Sequence, residues 1–74
     1  MNQFSTGGGE AVLRFLDADF EVIRPGRFVR CAVTDTVIPL NDLRYWSVDR
    51  QEAYIDAATA NKARDQALAK GEGF

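Results

Sequence analysis

The chain has 74 residues, 46% of them hydrophobic, a formal net charge of −2, one cysteine and no histidine. That length makes one domain, near the size at which folding buries only about 60% of the surface the unfolded chain exposes, so every large apolar side chain counts. The negative balance argues against a generally basic nucleic-acid or anionic-membrane binder, the lone cysteine rules out an internal disulfide, and charges interrupt every apolar run, so that neither a signal peptide nor a membrane span is expected and the reducing cytoplasm is the default compartment.

Met1 to Gly9, MNQFSTGGG, ends in three glycines and carries one large apolar group besides Met1. Little there offsets the entropy of ordering, which predicts a flexible N-terminal arm over 1–9. A phosphate-cradling loop would continue with Lys and Ser or Thr, and here Glu10 follows. Ala11 to Leu16, AVLRFL, alternates as a strand; Asp17, Ala18 and Asp19 supply turn chemistry; Phe20 to Arg24 reads as a second strand. Asp17, Asp19 and Glu21 share the spacing of a calcium loop, but its glycine and its bidentate acid would fall on Val22 and Phe28, so a metal is not expected.

Arg24-Pro25-Gly26-Arg27 predicts a type II turn that reverses the chain into a third strand, Arg27 to Val33. Val29, Cys31 and Val33 share one face of it, and Phe28, Arg30 and Ala32 the other. Thr34-Asp35-Thr36 forms the next turn, and Val37 to Leu40 a short return that Pro39 confines to an edge or an end. A helix is expected to start near Ser47 or Asp49, because Asp49 with Glu52 matches the reciprocal capping pattern; Asp56 offers a restart and Gly71 a left-handed C-cap. Beyond Tyr54 and Ile55 the only large apolar residue before Phe74 is Leu68, so the helix has little more than an alanine stripe. The sum is an α+β domain over 10–70, with a small antiparallel sheet of three to four strands from Ala11 to about Trp46, a C-terminal helical segment and a tail at 71–74.

The segments RPGRFVRCAVT, IPLNDLRYWSV and DRQEAY resemble the signature of domain of unknown function 2093, an uncharacterised bacterial family seen in alphaproteobacteria. The similarity runs from about Gly9 to about Ala57. The family pattern usually has Gly where this chain has Asp35, a turn position that Asp also occupies. The resemblance implies a compact domain and carries no catalytic residue across. A second similarity is architectural: the knuckle Cys31-Ala32-Val33-Thr34, a hairpin, the segment LRYW and then a helix resemble the layout of a treble-clef zinc finger. Structural zinc takes four N or S ligands, which this chain does not contain, so the layout would be metal-free and no cofactor is expected.

Cys31 beside Arg30 is the one candidate nucleophile, but it has no histidine to act as base and no resolving cysteine; a small buried hydrophobe is the expected role, and the chain is read as not an enzyme. Arg24, Arg27 and Arg30 form an acid-free run through the Pro-Gly turn, and Arg44, Tyr45 and Trp46 add a cation and two aromatic faces. Tyr, Trp and Arg are enriched at interface hot spots, which suggests a non-catalytic module that binds an unidentified protein or a second copy of itself. The alternative use of the same six residues is weak binding of single-stranded nucleic acid. The plainer expectation puts Trp46 in the core and pairs the arginines with Asp17, Asp19 or Glu21.

Overall fold

The computed structural model describes residues 9–74, so the arm read at 1–9 lies outside the described residues except for Gly9. Among the described residues six short strands precede one helix: β1 (Val12–Phe15), β2 (Phe20–Arg24), β3 (Phe28–Arg30), β4 (Val37–Pro39), β5 (Tyr45–Ser47), β6 (Glu52–Tyr54) and α1 (Ala57–Ala69). A single turn of 3-10 helix, Leu40–Asp42, separates β4 from β5. The α+β class is as expected, but the strands pair two by two, β1 with β2, β3 with β4 and β5 with β6, all antiparallel, in place of one sheet of three to four strands.

The Pro25-Gly26 segment explains the division. It does not fold β2 back onto β3; it crosses the stretch that leads into β1. The Arg27 N–H donates to Gly9 O at 2.9 Å and the Ala11 N–H to Phe28 O at 2.7 Å, so the start of β3 takes Gly9 to Ala11 as its neighbour. Gly26 is needed for this close approach and not for the positive φ of a type II turn. A Cβ there would collide with the Ala11 backbone and lie 2.6 Å from Gly9 O. The left-handed region is instead occupied by Asp35 (φ 61°), where the family resemblance implied a glycine, by Gln51 (φ 53°) and by Gly71 (φ 73°).

The segment read as a helix start is a hairpin. Ser47 Oγ accepts the Arg50 N–H at 3.1 Å, the bond an N-cap would make. Gln51 in the left-handed region then breaks the turn, and Glu52–Tyr54 returns antiparallel, with Tyr45 opposite Tyr54 and Trp46 opposite Ala53. The capping signal was thus local chemistry of a β turn, and the helix begins at the second signal: Asp56 accepts the Thr59 N–H at 2.7 Å. At the other end Gly71 N–H donates to Leu68 O at 3.0 Å and Glu72 N–H to Ala67 O at 2.8 Å, the paired bonds of a Schellman motif.

Ala11, Phe15, Val29, Cys31, Ile38, Leu43 and Ala53 form the buried cluster, with Leu13, Phe20, Leu40, Trp46 and Ile55 packed against it. Of the two faces of the third strand, the one carrying Val29 and Cys31 is buried, while Val33 beyond it is exposed. A parallel bridge from Cys31 to Ala53, with the Ala32 N–H donating to Ala53 O at 2.9 Å, joins the second ladder to the third. Only Ala63 and Ala67 of α1 are buried, as an alanine stripe predicts.

Candidate functional site

The β1–β2 hairpin is the least covered ladder. Phe15 opposite Phe20 and Leu13 opposite Val22 share one face, and Arg14 opposite Glu21 the other, with their side chains 3.9 Å apart. A register shift between Val12 and Leu13 leaves Ile23 as an extra residue on β2. Ile23 is 58% exposed and Val22 51%, and β2 has no neighbour but β1 among the described residues. The adjacent apolar residues in FEVIR are the sequence feature that could have marked this exposure. A two-sided strand buries alternate residues, so Val22 and Ile23 cannot both face a core.

Two polar anchors tie the hairpin to the rest. The carboxamide of Gln51 imitates a strand neighbour: its Oε1 accepts the Phe15 N–H at 2.8 Å, and its Nε2 donates to Phe15 O at 2.9 Å and to Val48 O at 2.7 Å. Trp46 Nε1 donates to Leu16 O at 2.7 Å, while its ring stacks on Phe15 (5.9 Å, 26°) and meets Phe20 edge to face (5.8 Å, 86°). No pattern in the sequence marked Gln51, because its role depends on a contact 36 residues away.

The six candidate surface residues are not brought onto one face. Tyr45 and Trp46 are consecutive in β5 and point to opposite sides of the hairpin, Tyr45 exposed and Trp46 half-buried in the aromatic cluster. Arg30 lies 3.8 Å from both Glu10 and Asp35 and sits over the Phe28 ring at 5.6 Å, so the acid-free run in sequence is not acid-free in space. The arginine partners are Glu10, Glu21, Asp35, Glu52 and Glu72; of the expected acids only Glu21 is used, and by Arg14. Arg24, Arg27 and Arg44 are exposed and make no ion pair among the described residues.

Cys31 is 2% exposed. Burial pushes its thiol pKa up, but hydrogen bonds from the Thr34 hydroxyl and from the amides of Thr34, Val33 and Ile55 together outweigh it, and the net value lies below that of an ordinary thiol. The sulfur still reaches a reagent only when the structure opens. Tyr54, fully buried, donates to Glu52 Oε1 at 2.9 Å; desolvation, then that bond and the Glu52 charge, hold its pKa above the ordinary tyrosine value. Arg50 bridges Glu52 (3.4 Å) and Glu72 (2.8 Å), and its hydrogen bond holds the Glu72 carboxyl below the usual range. No group of three or more His, Cys, Asp or Glu among the described residues is placed to hold a metal, and no helix is long and apolar enough to cross a membrane.

These features define a small α+β domain of three two-stranded ladders, in which β2 is the most exposed strand among the described residues. The family model described as "Uncharacterized protein conserved in bacteria", DUF2093, matches residues 22–63, more than half of the chain, and the chain belongs to that family. The match takes in the last three residues of β2, all of β3 to β6 and the first half of α1. No curated protein and no solved structure matches the chain.

Proposed function

We propose that this domain is a non-catalytic protein-interaction module of the cytoplasm, where reducing conditions keep Cys31 a thiol, and that its docking edge is β2. The observation that carries this is the juxtaposition, among the described residues, of a strand edge without a partner, exposed Val22 and Ile23, and Arg24 without an ion pair. A free edge pairs with an extended segment through main-chain hydrogen bonds, and apolar side chains beside it add specificity. Arg24 at the end of the edge favours an acidic strand as the partner. Of the six residues first considered, Arg24 belongs to this edge and Arg27 lies past the Pro-Gly crossing at the entry to β3; Arg44 and Tyr45 belong to β5 and its entry, and Arg30 and Trp46 already have partners within the chain.

The test is affinity capture from the native cell with the unaltered chain, with Ile23→Lys and with Leu68→Lys. Leu68 is 61% exposed on α1 and serves as a control of equal chemistry elsewhere. The partner taken by the unaltered chain is expected to persist with Leu68→Lys and to be lost with Ile23→Lys. Loss with both, or with neither, contradicts β2 as the docking edge. The single-stranded nucleic-acid alternative rests on Arg24, Arg27 and Arg44 and requires a complex with an oligonucleotide that weakens steeply with salt.

A further inference from the structure

Residues 72–74 pack onto the β5–β6 hairpin. The Schellman motif at the end of α1 turns the chain back, and each of the next three residues meets a dedicated group. Glu72 Oε1 accepts from Arg50 at 2.8 Å; Gly73 lies against Asp49, whose Oδ2 would be 2.7 Å from an added Cβ; Phe74 O accepts from Ser47 Oγ at 2.8 Å. The Phe74 ring stacks on Tyr54 at 5.8 Å with the planes 10° apart. An open cleft of about 510 Å³ continues beside this contact, bordered by Asp49, Arg50, Glu52, Glu72 and Gly73.

Three of the receiving groups also have a partner within the hairpin. Ser47 Oγ is held by the Arg50 N–H, the Tyr54 hydroxyl by Glu52, and the Arg50 guanidinium by Glu52. A charge is therefore placed for a carboxylate and, two residues on, an aromatic face and a hydrogen-bond donor for the ring and the carbonyl of an aromatic residue, with the Asp49 carboxylate against the small residue between them. Preorganisation of this kind lowers the cost of binding. The tail, by contrast, is three residues on the far side of a left-handed glycine, Gly71, and makes no ladder.

We propose that the β5–β6 turn is a recognition site for an extended peptide of the chemistry carboxylate–small–aromatic, and that Glu72–Phe74 occupies it in cis as an intramolecular competitor. A tether this short gives the tail an effective concentration on the order of millimolar, which masks the site from partners in trans. The site is distinct from the β2 edge, so each stands or falls without the other.

The experiment uses the full chain and a fluorescein-labelled peptide Lys-Gly-Glu-Gly-Phe-amide, read by fluorescence anisotropy. Phe74→Ala is expected to bind the peptide at least about ten-fold more tightly than the unaltered chain, since the tethered competitor loses its aromatic anchor. Adding Arg50→Ala to Phe74→Ala is expected to abolish that gain, and Ile23→Lys to leave it unchanged. Glu72→Gln, which keeps Phe74 over Tyr54, is expected to give a gain of roughly two- to five-fold and covers the case in which Phe74→Ala does not fold. Absence of any gain in both variants, or its retention with Arg50→Ala, overturns the proposal. A tail-exchanged dimer of the unaltered chain in sedimentation would assign the site to a second copy and likewise overturn the partner-peptide assignment.

Discussion

The β3–β6 centre and the β1–β2 hairpin are built from the same kind of unit, a pair of short antiparallel strands, yet they are held in different ways. In the centre Val29, Cys31, Ile38, Ser47, Ala53 and Tyr54 are all buried, and a bridge from Cys31 to Ala53 joins two ladders. In the hairpin Phe15 is the one buried strand residue, and attachment relies on the Gln51 carboxamide and the Trp46 indole. A ladder that the fold does not need to cover is free to be covered by something else. The buried core is concentrated in the first region, and the family match, residues 22–63, covers that region together with the end of β2.

The largest effects should fall in the centre. Ile38 and Tyr54 are both fully buried, and Ile38→Ala is expected to cost about 2–5 kcal/mol and Tyr54→Ala roughly 3–5 kcal/mol in urea unfolding. For a domain of this size that is a large share of the total. An intermediate effect is expected at the hinge between the regions. Gln51→Gly eases the left-handed backbone but removes three hydrogen bonds, two of them to Phe15, for a net loss of about 1–2 kcal/mol. It should also red-shift Trp46 fluorescence as the hairpin loosens. A loss of stability without a spectral change would mean that Gln51 does not hold the hairpin.

The pH dependence separates α1 from the centre. Asp56, through its bonds to Thr59, and Glu72, through Arg50, have carboxyls held below the ordinary range in the folded chain. The unfolded chain therefore takes up these protons first. Their stabilisation is present above the ordinary carboxylate values of about 4 and is lost as pH falls through the lower folded values. Helical circular dichroism should decline there, and the double variant Asp56→Asn/Glu72→Gln should flatten the decline. Tyr54 works at the other limit: its folded pKa is raised, so its contribution is complete below the ordinary tyrosine value of about 10 and falls as pH rises above it. The smallest effect on stability is expected on β2, where Val22→Ala and Ile23→Ala should each stay within about 0.5 kcal/mol of the unaltered chain.

Much of the fold was legible in the sequence because its signals are local. Alternation in AVLRFL, the aspartates before Phe20, the turn at Asp35, the Asp56 cap and Gly71 all act through neighbours within a few residues. What misled was local chemistry reused in another setting. The Ser47 to Arg50 bond is a cap in isolation, but left-handed Gln51 turns it into a hairpin. Pro25-Gly26 reads as a reversal, yet Gly26 serves a crossing with Gly9 to Ala11 that no local rule reveals. The candidate surface was legible only in part. Arg24 and Arg27 could be picked out as cations without near acids, whereas the pairing of Arg30 with Glu10 and the use of Trp46 as an anchor for Leu16 depend on tertiary contacts.

Native-state hydrogen exchange followed by NMR tests the division most directly. The amides of Cys31 and Ala32, bonded to Thr36 O and Ala53 O, should exchange only with global unfolding, while those of Leu16 and Phe15, bonded to Asp19 O and Gln51 Oε1, should exchange through a smaller opening confined to β1–β2. Equal protection of the four amides, with one common opening free energy, would contradict the account.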